Sequence, residues 1–179
     1  VSQTLNLNKI SPHDLSLVGH LFFAKPGEFS QQTLQAVQNL AKSWDSGWQQ
    51  FIFSIISLIN KQTSVTLDLL VNSKELQVWE GVEDVCVYFM NRQEAFATKD
   101  KQNSVDKLIS LSESRAIRQN LELLKRQIAN LEKSQQQSGI QSHQGQADNA
   151  SKNDMVEMKT LLAEVAAMQK RLHEIRRNG

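Results

Sequence analysis

Apolar residues recur along this chain at spacings of three and four over most of its length, and at alternate positions in one short stretch. Ser11-Pro12-His13-Asp14 opens the first helical pattern: the serine hydroxyl can accept an orphan backbone N–H, proline suits the first helical position, and Asp14 faces the positive end of the dipole. Leu15, Val18, Leu21 and Phe22 then share one face, and Lys25-Pro26-Gly27 stops the run. Ser30 is the cap expected for a second helix carrying Leu34, Val37, Leu40, Ala41 and Trp44. After the break at Asp45-Ser46-Gly47, Trp48, Phe51, Ile52, Ile55, Ile56 and Ile59 cover most of the circumference of a third helix. Such a helix belongs in the middle of a core.

The pattern changes at Thr63. Val65, Leu67, Leu69 and Val71 alternate with Thr66, Asp68 and Leu70, the stretch Asn72 to Glu75 has turn composition, and Leu76 to Trp79 can pair back as a hairpin. A single helix competes with this reading, because Leu67, Leu70, Val71, Val78, Val82 and Cys86 also form a helical stripe; the hairpin is narrowly preferred. Beyond Gly81, the residues Val82, Val85, Cys86, Phe89, Met90 and Phe96 predict a helix reaching about Thr98. The polar stretch 99–104 then closes a compact α-rich domain over 11–104, preceded by an arm at 1–10.

The last third has a narrower stripe. Ile117, Leu121, Leu124, Ile128 and Leu131 are spaced four, three, four, three, and Met158, Leu161, Val165, Met168, Leu172 and Ile175 continue the same alternation, the heptad signature of a seam turned toward a partner helix. Two heptad-pattern helices are therefore expected, at 105–133 and 154–179, with Asp154 and Glu157 as a capping arrangement for the second. The Gln/Ser-rich stretch 134–153 reads as a flexible linker, since Ile140 is its only large apolar residue. A linker of this length spans about 25 Å, which favours an antiparallel coiled-coil hairpin and leaves an oligomer seam within reach. Met158, Val165 and Leu172 take heptad position a, and Leu161, Met168 and Ile175 take d, without a polar residue to fix one register.

Composition narrows the function classes. The chain has 179 residues, room for one domain and an appendage, and its single cysteine excludes an internal disulfide framework. A formal charge of +1 provides no whole-chain attraction to nucleic acid or to an anionic membrane. The charge is uneven, however: 8 basic against 10 acidic residues up to Ser104, and 12 against 9 beyond. Lys170, Arg171, Arg176 and Arg177 crowd the C-terminal end, as suits a helix C-terminus or a contact to phosphate or an acidic partner. Arg115, Arg118, Lys125, Arg126 and Lys133 form a second basic stripe, interrupted by acids and without an aromatic for base stacking. The first ten residues lack the pattern of a secretory leader, and the apolar run Trp48 to Ile59 is shorter than the roughly 20 residues of a membrane span. A cytoplasmic location is the resulting expectation.

Little of this is catalytic. His13 and His20 lie seven residues apart without a second close ligand pair, so both are expected to be solvated; His143 falls in the expected linker and His173 on a polar helix face. Glu80, Glu83 and Asp84 gather at a predicted helix start, where acids favour the dipole, and no histidine accompanies them. Cys86, between two valines, has no basic neighbour to activate it. No catalytic residue, metal site or cofactor is assigned. The sequence predicts a mainly α protein, noncatalytic, acting as a structural subunit or adaptor that binds itself or another helical protein through its coiled-coil helices, with a nucleic-acid-associated accessory role as the alternative.

Overall fold

The computed structural model describes residues 4–72, 80–141 and 147–178. With 79% helix and no strand among the described residues, the chain is mainly α. It divides into two units, Val1–Ser112 and Glu113–Gly179.

In the first unit, α1 (Pro12–Phe22) starts as its sequence predicts: Ser11 Oγ accepts from the Asp14 N–H, and the Ser11 hydroxyl donates to Asp14 Oδ2 at 2.8 Å. Its last six residues, Leu17 to Phe22, are all buried, a wider face than the predicted stripe. The Ser30 hydroxyl caps α2 (Gln31–Ala41) by accepting from the Thr33 N–H. Asp45 caps α3 (Ser46–Asn60), in which Trp48, Phe51, Ile52 and Ile55 have no exposed surface. Helices α1 and α2 both pack on α3, which is the central helix its all-round apolar pattern requires.

The predicted hairpin is replaced by a helical turn in its first half. Residues Leu67–Val71 form α4, capped by Thr66 Oγ1 accepting from the Leu69 N–H, with Leu70 fully buried. The threonine cap satisfies a backbone N–H at the start of the turn, and burial of Leu70 anchors it. The returning strand, 76–79, lies outside the described residues. Gly81 precedes α5 (Val82–Met90) with φ +96°, and a Cβ there would stand 2.5 Å from the Leu5 carbonyl oxygen. Glycine is the residue that permits both. The close approach aligns the arm: the Leu5 N–H donates to Glu80 O at 2.9 Å, Leu5 is buried, and the Trp48 indole N–H donates to Asn6 O at 2.9 Å.

Helix α5 stops at Met90 rather than near Thr98. Arg92 turns back, donating to Tyr88 O with its guanidinium 3.8 Å from the Tyr88 ring centroid, and a 3-10 turn at Gln93–Phe96 follows. The break lets Phe96 lie on Gly19 and against Phe23 and Phe89, whereas Met90, one of the apolar residues that predicted the helix, is 54% exposed. Most of the polar stretch 99–104 is helical, from Lys101 onward. Asp100 Oδ1 accepts from the Asn103 N–H, and α6 runs from Lys101 to Gln141. Val105 and Ile109 belong to the core of the first unit, and Ser112 donates to Asp14 Oδ1 at 2.7 Å.

The second unit consists of the rest of α6 and of α7 (Ala147–Asn178). Helix therefore occupies both ends of the segment read as linker, and Asp154 lies inside α7 instead of capping it. Extending an existing helix costs only the per-residue propensity, and glutamine is a good helix former, so a composition unable to nucleate a helix can still propagate one. Residues 142–146, the middle of that linker, lie outside the described residues.

Candidate partner-binding surface

The direction of the two long helices follows from one ion pair. Arg171 Nη2 lies 3.2 Å from Glu113 Oε2. Glu113 is about 42 Å of helix from the end of α6, and Arg171 about 36 Å from the start of α7. Two points so far from the connection meet only if the helices return alongside each other, antiparallel. Arg171 also lies 3.7 Å from Glu174. An exposed pair of this kind fixes orientation more than it stabilises, contributing about 0.2–1 kcal/mol.

The predicted seam residues lie on the less exposed sides of both helices. Leu121, Leu124 and Leu161 are buried, at 7%, 8% and 9% exposure, and Ile117, Ile128, Leu131, Met158, Val165, Met168, Leu172 and Ile175 are half-buried. The Glu113–Arg171 contact sets Leu121 level with Leu161, which accounts for the deepest burial at the middle of the hairpin. One heptad toward the connection, Asp154 occupies the d position before Leu161, so the apolar stripe of α7 begins only at Met158.

The groups predicted for an anionic contact are only partly brought together. Lys170, Arg171, Arg176 and Arg177 are all exposed, but Arg171 is held by Glu113 and Glu174. On α6, Arg115, Arg118, Lys125, Arg126 and Lys133 are exposed, with Lys125 3.3 Å from Glu122.

Sequence reasoning missed the apolar groups outside the seam. Leu123 on α6 and Met155, Val156 and Leu162 on α7 are 56%, 54%, 65% and 51% exposed. A signal was present: Met155 and Leu162 repeat every seven residues beside the a and d positions, at heptad position e, where a two-helix seam calls for charge. Isolated exposed leucines need no explanation, and the first unit also exposes Leu69, Val87, Met90 and Leu111; on the hairpin, Met155 and Leu162 recur with the heptad.

The first unit holds the titratable groups His13, His20, Glu83, Asp84 and Cys86 singled out from the sequence. Cys86 is buried, and burial together with Glu83 pushes its thiol up to about 11, so it stays protonated at neutral pH. Glu83 and Asp84 sit in the first turn of α5, as expected. His13 is exposed as predicted, but His20 is 7% exposed and its Nδ1 has no hydrogen-bond partner. The cause is the all-round burial of the second half of α1, with the Phe96 ring edge-on at 5.2 Å. No group of three His, Cys, Asp or Glu among the described residues can hold a metal ion, and no described helix is long and apolar enough to cross a membrane.

Burial, with a smaller contribution from the Lys101 ammonium, lowers the His20 pKa below 6.5, while Glu28 opposes them. The folded state thus prefers the neutral ring. The ionisation of His20 therefore weakens the fold only on the acid side: stability falls as the pH drops from about 6.5 toward the lowered folded value. His20→Leu should therefore lose less stability than the wild type between about pH 7.5 and 5.5, measured as the shift in urea midpoint. Equal shifts would show that His20 is not the group responsible.

Comparison with protein-family models, with curated proteins and with solved structures finds no match to this chain. Its surface chemistry alone bears on function.

Proposed function

We propose that this chain is a noncatalytic structural or adaptor subunit that associates, with its own copies or with another helical protein, through the coiled-coil hairpin of α6 and α7. The observation that carries this reading is the pair of apolar sets on the hairpin. One set, centred on Leu121, Leu124 and Leu161, is satisfied within the chain; the other, Leu123, Met155, Val156 and Leu162, is more than half exposed. The seam thus supplies a preorganised arm, and the outer groups supply contact area at little ordering cost. A nucleic-acid contact through the basic end is the weaker reading, since Arg171 is engaged by two carboxylates.

Lysine cross-linking of the full chain in its native complexes separates the hairpin from the first unit. Intermolecular links are expected at Lys125, Lys133, Lys159 and Lys170. Links confined to Lys9, Lys25, Lys42 and Lys61 would place association on the first unit and contradict the proposal.

A further inference from the structure

The two flanks of the hairpin carry opposite chemistry. In an antiparallel helix pair the g positions of both helices share one flank and the e positions share the other. The Glu113–Arg171 contact is a g-to-g contact and so identifies its flank. That g flank continues with the exposed Glu157 and Glu164, with the uncharged Asn120 and Gln127 facing them from α6, and Leu123 stands beside it, 56% exposed. Among the described residues its cation is Arg171, which is paired with Glu113 and Glu174. On the e flank, Met155 and Leu162 are 54% and 51% exposed, among the exposed cations Arg118, Lys125 and Lys159. Glu132 is the acid at an e position, toward the connection, and Glu122 shares Lys125.

We infer that hairpins of separate copies of this chain pack side by side, the basic e flank of one against the acidic g flank of the next. This rests on the hairpin being the interaction element, and it names the partner as a second copy. Like-with-like pairing fails on charge: e against e sets Arg118 and Lys159 against the same cations, and g against g sets Glu157 and Glu164 against themselves. Pairing e with g brings Met155 and Leu162 toward Leu123 and sets lysine and arginine against glutamate. Because the two surfaces differ, the contact is heterologous. Each added copy leaves one flank of each kind open, so assembly continues to a ring or a filament.

Sedimentation velocity of the full-length chain tests this with two variants. Lys159→Glu with Leu162→Glu disables the e flank, and Leu123→Lys with Glu164→Lys disables the g flank. The wild type should grow beyond two chains as concentration rises, and its association should weaken at high salt. Each variant alone should be monomeric, its apparent association constant at least about tenfold lower. An equimolar mixture should form a species of two chains and stop, since it retains one intact e flank and one intact g flank. Unchanged far-ultraviolet helicity shows that the variants fold, with Leu162→Gln and Leu123→Gln as milder substitutes.

A wild type that stays monomeric, a dimer that never grows, or a mixture that fails to pair each overturns the inference. So does a monomer retained in a salt-dependent way by a nucleic acid, which would assign the e flank to an anionic polymer. Association unaffected by either variant would remove the hairpin's role and the functional proposal with it; association lost in both variants without pairing in the mixture removes only the flank assignment.

Discussion

Replacing Trp48 with alanine should destabilise the first unit by about 3–5 kcal/mol, the range for truncating a large buried aromatic. Trp48 has no exposed surface, its ring lies edge-on to Phe51 with centroids 5.8 Å apart, and its indole N–H donates to Asn6 O at 2.9 Å. Alanine there opens a cavity beside α3 and leaves the Asn6 carbonyl without its donor. Trp48→Phe separates the two losses: it keeps most of the apolar contact and removes only the hydrogen bond, for about 1–3 kcal/mol. Trp44→Ala, at a half-buried site one turn earlier, provides the comparison. The expected order of urea midpoints is wild type, then Trp44→Ala or Trp48→Phe, then Trp48→Ala. Equal effects of the two alanine substitutions would mean that the break at Asp45 does not turn Trp48 inward.

That break illustrates what was legible in the sequence. Ser11 and Ser30 announced the starts of α1 and α2 because a side-chain cap is a local event, satisfied within three residues, and Asp45, read only as part of the break, caps α3 in the same local way. The central place of α3 was legible for a similar reason, since apolar groups around a whole helix leave it no solvent face. The ends of elements were harder. Phe96 extends α5 by its spacing, but it is used across the fold, on Gly19 of α1, and no local pattern reports so distant a contact. The expectation of a solvated His20 fails for the same reason: burial of a polar residue is decided by what packs over it, here Phe96. In the hairpin the a and d spacing was legible, while the contrast between its flanks required the direction of the helices, which the Glu113–Arg171 contact supplies. The extent of α6 and α7 into the Gln/Ser stretch was hidden because composition reports whether a segment can nucleate a helix, not whether a neighbouring helix will run through it.

Asparagine at Leu121 or at Leu161 should cost the hairpin most of its helix while leaving the first unit folded. Each leucine is about nine-tenths buried or more, so the substitution loses about 2–3 kcal/mol of apolar transfer and adds a buried amide without an assured partner. In proteins most helical stability comes from packing of an amphipathic face rather than from propensity, which makes the central layer of the seam decisive for α7 and the distal part of α6. Far-ultraviolet circular dichroism should show a clear fall in helicity for either variant. Tryptophan emission should stay native, because Trp44, Trp48 and Trp79 all precede Glu113. Combining the two substitutions should cost less than the sum of the separate effects, by about 0.5–3 kcal/mol, if the leucines are level with each other as the Glu113–Arg171 contact requires. Leu123→Asn and Leu162→Asn, at more than half-exposed sites, should leave helicity unchanged. If Leu123→Asn and Leu121→Asn reduced helicity alike, the a and d stripe would not be the face on which α6 and α7 meet, and the assignment of both flanks would fall with it.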